Sequence, residues 1–150
     1  MISILKEFEW DMGHRVTNHD SLCKNPHGHR YKMVVEVTGP INKQLGSSQQ
    51  GMVLDFGLLK KVIMTNIVDP LDHSFMYWKD DDVMNNFSNN NKSLKMNKVS
   101  FVPTAECIAL DIANQIEVLL SKKMSQVQLL SLRIFETPKS QALWSRDDKA

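Results

Sequence analysis

The chain has 150 residues, 42% of them hydrophobic, and a formal net charge of +1 at pH 7. This is enough chain for one domain, residues 1–150, with a substantial core. The near-zero charge gives no global reason to bind nucleic acid or an acidic membrane, while leaving room for a local basic patch. The chain carries two cysteines, its first six residues hold no basic leader before an apolar block, and it contains no long apolar run. These features point to a reducing, cytoplasmic setting, where a Cys23–Cys107 disulfide is disfavoured.

Taken in order, residues 2–10 alternate, with Ile2, Ile4, Phe8 and Trp10 on one face and Ser3, Glu7 and Glu9 on the other. This predicts a half-buried strand. Residues 17–26 are polar and turn-rich and read as a loop. Residues 29–38 alternate again, Tyr31, Met33, Val35 and Val37 against Arg30, Lys32, Glu36 and Thr38, and predict a second strand antiparallel to the first. Residues 42–51 have loop composition. Asp55 is placed to cap a helix over about 56–67, with Leu59, Val62, Ile63 and Ile67 at helical spacing and Asp69-Pro70 as its stop. Residues 79–98, with three consecutive aspartates and five asparagines between Asn85 and Asn91, read as a surface excursion, followed by a short strand at 98–102. Thr104 caps a second helix, Glu106 in its first turn suits the helix dipole, and Ile108, Ile112, Ile116, Leu119 and Leu120 form its apolar stripe. Residues 126–136 predict a third strand, with Val127, Leu129 and Phe135 on one face and Leu130, Leu132 and Ile134 on the other, hence a sheet covered on both sides. A last strand lies around 141–145. The element order is β-β-α-α-β-β, an α+β fold.

The chemistry concentrates in residues 14–29. His27 and His29, two apart on a strand, leave the same face. Gly28 between them has no Cβ and lets the backbone approach whatever the imidazoles hold. Three neutral imidazoles are a common zinc set, and a catalytic zinc keeps a fourth position open. His14, His27 and His29 are therefore the candidate metal ligands. His19 competes for the third place but sits in loop-like surroundings, and surface or hydrogen-bonded histidines are the plainer alternative. Cys23 beside a cation would have its thiolate favoured and could serve as a general base. As a fourth zinc ligand it would instead close the site, and as a buried thiol it would be inert. Asp72-His73 is a carboxylate–imidazole pair that needs a turn to cooperate, because in a strand the two would diverge. Glu136 follows an apolar strand and, if buried, needs a partner: Arg133, a lysine, or a ligand with two adjacent N–H donors.

Together these pieces resemble the family of 6-pyruvoyltetrahydropterin synthase and its bacterial relative 6-carboxytetrahydropterin synthase, the latter of the queuosine and deazapurine pathway. The resemblance rests on Gly13-His14-Arg15, on Cys23 three residues before His27-Gly28-His29, and on Gly51-Met52-Val53-Leu54-Asp55-Phe56. Leu71-Asp72-His73, Pro103-Thr104-Ala105-Glu106 and Glu136-Thr137 continue it through nearly the whole chain. It implies the tunnelling fold: a four-stranded antiparallel sheet with two helices on one face. It also implies a homo-oligomer, a trimer or dimer of trimers, in which sheets join into a barrel and active sites lie between subunits. By motif, His14, His27 and His29 would hold Zn2+, and Cys23 would be the proton-accepting thiol. Asp72 and His73 would be its relay partners from a neighbouring subunit, and Glu136 the carboxylate anchoring the pterin. Thr104 and Glu106 would be further pocket residues. The implied substrate is 7,8-dihydroneopterin triphosphate, with Arg15, Lys24 and Lys32 as candidates near its phosphates.

The Cys-x-x-x-His-Gly-His spacing and the Met-Gly-His-Arg-Val-Thr-Asn-His opening look more like the carboxy-forming members. Two rivals stand: a pyruvoyl-forming enzyme that retains the substrate side chain, and a non-catalytic, zinc-stabilised binding module. Gly13 departs from the alanine common before the histidine, and the Asn-rich segment is longer than in compact members.

Overall fold

The computed structural model describes residues 1–146. Its six-stranded sheet has the order β4-β3-β1-β2-β5-β6. The strands are β1 (Ser3–His14), β2 (His27–Thr38), β3 (Ser74–Trp78), β4 (Met96–Val99), β5 (Gln128–Thr137) and β6 (Ser140–Ser145). The run β1-β2-β5-β6 is antiparallel throughout, as expected. Two short strands extend it, β3 parallel to β1 and β4 parallel to β3. The first strand runs four residues past its predicted end, because Met12 and His14 continue the inward alternation of Phe8 and Trp10. Likewise β2 begins at His27 rather than at 29.

Helix α1 (Phe56–Ile63) starts as predicted, with the Asp55 carboxylate accepting from the Leu58 amide at 3.0 Å. It passes into a π-helical segment (Met64–Val68) and a last turn, α2 (Asp69–Leu71). Pro70 therefore does not stop the helical path. A proline is tolerated in the first turn of a new segment, where its missing N–H has no partner to lose. Residues 79–98 depart furthest from expectation. They hold the end of an ordered turn, α3 (Asp82–Asn90) and β4. Asp81 caps α3 by accepting from the Met84 amide at 3.1 Å, so one of the three aspartates is the helix signal.

Helix α4 (Ala105–Lys123) buries Ile108, Ala109, Ile112, Ala113, Ile116 and Leu120, and packs on β5 and β6. Leu59 and Ile63 of α1 join the same core, above Met33, Val35, Leu129, Leu132 and Ile134 of the sheet. Each such side chain contributes about 1.5–3 kcal/mol by leaving water. Strand β5 differs from the prediction. Ser131 lies opposite Glu36 but Leu129 lies opposite Val37, so Leu130 is an extra residue. That bulge moves Leu129 onto the face of Leu132 and Ile134, all three buried. The outward face is consequently mixed rather than apolar: Glu36 accepts from Ser3 and Ser131 at 2.6 Å each, and Lys32 pairs with Glu7 at 3.0 Å. Among the described residues no helix is long and apolar enough to cross a membrane.

Candidate metal centre and active site

Antiparallel pairing of β1 and β2 sets His14 opposite His27 and Met12 opposite His29. Because side chains alternate, His14, His27 and His29 all face inward at one end of the sheet. Their ring centroids stand 4.6 to 5.1 Å apart, and one ligand atom from each falls within 4.8 Å of the others. His14 is 1% exposed, whereas His27 and His29 are half-buried.

The hydrogen bonds fix what these rings present. His14 Nδ1 lies 2.7 Å from the carbonyl of Pro103, the residue just before the α4 cap, and His27 Nδ1 lies 2.7 Å from the carbonyl of Asn25. A carbonyl only accepts, so in both rings Nδ1 carries the hydrogen and the neutral ring leaves Nε2 bare. These two Nε2 atoms face each other at 3.1 Å. Two lone pairs at that distance repel unless a cation lies between them. A proton is disfavoured, since burial above all, aided by the neighbouring imidazoles, lowers the His14 pKa to about 4. Burial, then His27, lowers that of His29 too. The donor set fits a divalent transition metal bound by neutral imidazole.

Glu136, near the end of β5, brings Oε1 to 3.8 Å from His14 Nε2. Burial first, then the Glu106 carboxylate, raises its pKa. The half-buried carboxylate has no hydrogen-bond donor among the described residues, so its acceptor capacity is open to a ligand. Thr104 caps α4, its hydroxyl accepting from the Cys107 amide at 3.3 Å and keeping its own O–H to donate. Tyr31 packs edge-on against both His14 and His29, and its wholly buried hydroxyl finds no partner among the described residues. Nothing in the sequence pattern marks Tyr31 beyond its inward place on β2.

Cys23 stands apart. It is exposed on a 3-10 turn (Leu22–Lys24), and its sulfur is not grouped with the three imidazoles. The loop returns because the Val16 amide donates to the Cys23 carbonyl at 2.8 Å. Cys107 is a second free thiol, half-buried on α4. Among the described residues the His19 ring bonds within the loop, to Ser21, and its amide donates to the Val16 carbonyl.

Asp72 and His73 do meet, Oδ2 to Nδ1 at 3.0 Å. The turn they need is supplied by His73 itself, whose φ of 57° is left-handed. The Asp11 amide donates to Asp72 Oδ1 at 3.0 Å, and this bond is the largest cause of the lowered Asp72 pKa. Asp11, held in turn by both nitrogens of a two-pronged Arg30 contact at 2.8 Å, was absent from the candidate residues. The pair gathers with Asp11 on the outward side of the sheet, beside a depression of about 420 Å3 whose lining includes Asp11, Gly13, Gly28, His29, Arg30 and His73. Within one chain Asp72 and His73 group with Asp11 and not with the imidazole trio. Gly28 opens toward this outward side as well, not toward the imidazoles: a Cβ there would meet the Met12 carbonyl at 3.3 Å.

A family model described as 6-pyruvoyl tetrahydropterin synthase matches residues 3–147. A 6-carboxy-5,6,7,8-tetrahydropterin synthase of Haemophilus influenzae is 37% identical over 142 residues, covering 93% of this chain and 96% of its own. One from Rickettsia conorii is 35% identical, covering 92% and 96%. Among solved structures, an uncharacterised protein from Wolinella succinogenes superposes with a TM-score of 0.79 at 24% identity, covering 97% of this chain and 98% of its own. The 6-pyruvoyl tetrahydropterin synthase of Caenorhabditis elegans superposes with a TM-score of 0.67 at 24% identity, covering 96% and 94%. The fold is the tunnelling fold, and the chain belongs to the 6-pyruvoyl tetrahydropterin synthase family.

Proposed function

We propose that this protein, a single domain over residues 1–150, is a zinc-dependent 6-carboxy-5,6,7,8-tetrahydropterin synthase. It converts 7,8-dihydroneopterin triphosphate to 6-carboxytetrahydropterin, acetaldehyde and triphosphate. The observation that supports this reading best is the pair of bare Nε2 atoms at 3.1 Å beside an acceptor carboxylate, in a chain whose curated relatives carry that name.

His14, His27 and His29 hold the zinc, with Pro103 and Asn25 fixing two of the rings through their Nδ1–H. When bound, zinc supplies a Lewis acid that polarises side-chain oxygens of the substrate and acidifies the neighbouring C–H. Glu136 anchors the pterin by accepting from its amino and ring N–H groups, and the Thr104 hydroxyl and Glu106 border the same pocket. Cys23 accepts the substrate proton, and His73, held by Asp72, is the partner that relays it. In one chain that pair groups with Asp11 rather than with the trio, and the pair completing each site comes from another copy. Strands β4 and β6 leave open sheet edges through which copies join. The partners are thus a small pterin and further copies of this chain, in the cytoplasm, with no nucleic acid or membrane.

Incubation with 7,8-dihydroneopterin triphosphate and mass spectrometry of the products test this. Acetaldehyde with 6-carboxytetrahydropterin supports it; a product that keeps its side chain means the pyruvoyl-forming enzyme. Cys23→Ala separates catalysis from a zinc-stabilised binding module. The exposed thiol predicts full zinc content with lost turnover, whereas a closed structural site would lose zinc.

A further inference from the structure

The loop between the two strands, residues 15–26, carries Cys23 and joins His14 to His27. Its own hydrogen bonds are internal: Val16 to Cys23, His19 to Val16, Lys24 to Ser21 and Asn25 to Leu22. Asn25 also meets the adjoining His27 ring. Beyond these, every polar contact from this loop to another element, among the described residues, ends on one carboxylate. Asp81 Oδ2 accepts from the Thr17 hydroxyl at 2.8 Å and lies 3.3 Å from Arg15 Nε. Its Oδ1 caps α3 through the Met84 amide at 3.1 Å. The residue is 2% exposed. A buried carboxylate with both oxygens engaged holds its partners rigidly, because removing one leaves the others without a substitute in water.

We propose that Asp81 is a positioning residue: it ties α3 to the loop bearing Cys23 and sets where that thiol stands relative to the imidazole trio. Nothing about this role was visible in the sequence, where Asp81 is one of three consecutive aspartates. The contact also gives the Asn-rich segment a task, since α3 is the anchor on which the loop is fastened. The catalytic part of this inference rests on the proposed function; the structural part does not.

The test compares Asp81→Asn, Thr17→Val and Thr17→Ser in the full chain, by amide hydrogen exchange, zinc content and steady-state kinetics. Asparagine keeps a capping oxygen for Met84. Thr17→Val leaves α3 and its cap untouched, so it stays informative should Asp81→Asn fail to fold. In Asp81→Asn and Thr17→Val, exchange at Val16, Lys24 and Asn25 should quicken about tenfold or more, while β1 and β2 keep their protection. Zinc should remain bound, kcat should fall, and KM should change far less, because the misplaced group acts on the proton rather than on binding. Thr17→Ser, which keeps the hydroxyl, should restore both. Unchanged loop exchange would overturn the proposal. So would loosening shared equally by β1 and β2, or a loosened loop with unchanged kcat. A wild type without synthase turnover would count against the functional reading and leave the exchange comparison standing.

Discussion

Gly13→Ala sets two effects against each other at the residue before His14. Glycine within a strand costs about 0.5–1 kcal/mol relative to alanine through lost backbone freedom, so the substitution should help by that amount. Against it, a Cβ on Gly13 would fall 2.6 Å from Phe75 Cδ2 and 3.3 Å from the His27 carbonyl. Phe75 is the parallel register neighbour of Gly13, so its ring covers the glycine directly. Overpacking costs about 1–3 kcal/mol when neighbours must shift. The ring borders a cavity of about 570 Å3 lined by Val83, Met84 and Phe87, into which it can swing, which favours the lower half of that range. The clash still exceeds the backbone gain. Net destabilisation should be about 1 kcal/mol, or about 2–4 °C in Tm for a chain of this size. Urea denaturation of wild type, Gly13→Ala, Phe75→Leu and the double variant measures it. The double variant should be more stable than the sum of the single effects by about 0.5 kcal/mol or more, since the two residues touch. A Gly13→Ala protein as stable as wild type, or strict additivity, would refute the reasoning.

Three further outcomes follow from the same contacts. Tyr31→Phe removes a buried hydroxyl that has no partner among the described residues, so thermal stability should rise by about 1–2 kcal/mol; a fall would mean the hydroxyl is satisfied. Asp72→Asn keeps an oxygen for the Asp11 amide but loses the charge facing His73. It should retain zinc and lose turnover by about a hundredfold or more, and a drop in zinc content would place Asp72 wrongly. The hydroxyls of Ser131 and Ser3 hold the Glu36 pKa below its usual 4.5. A depressed carboxyl stabilises the fold fully above the unfolded value and loses that contribution as pH falls through the folded one. Glu36→Gln should therefore be less stable than wild type above about pH 4.5, with the gap closing at lower pH in urea titrations; a constant gap would remove Glu36 from the acid response.

Alternation and spacing were enough to read the antiparallel strands, the capped starts of α1 and α4, and the convergence of three imidazoles. Where the reading failed, a local device overrode the pattern. One bulged residue, Leu130, reversed the parity of β5, since a period of two flips every side chain after a single insertion. The asparagines of residues 79–98 masked a helix whose signals were the Asp81 cap and the apolar Met84 and Phe87 three apart. Asp72 and His73 were identified, but the left-handed turn that joins them arises from the tertiary setting. Asp11, Tyr31 and the contacts of Asp81 with residues 15–17 escaped because each depends on partners distant in sequence.

Metal analysis of the purified protein tests the central claim most directly. The account predicts about one zinc per chain in the wild type, kept in Cys23→Ala and lost in His27→Ala. Less than about half an equivalent in the wild type, with no gain when zinc is added, would contradict it.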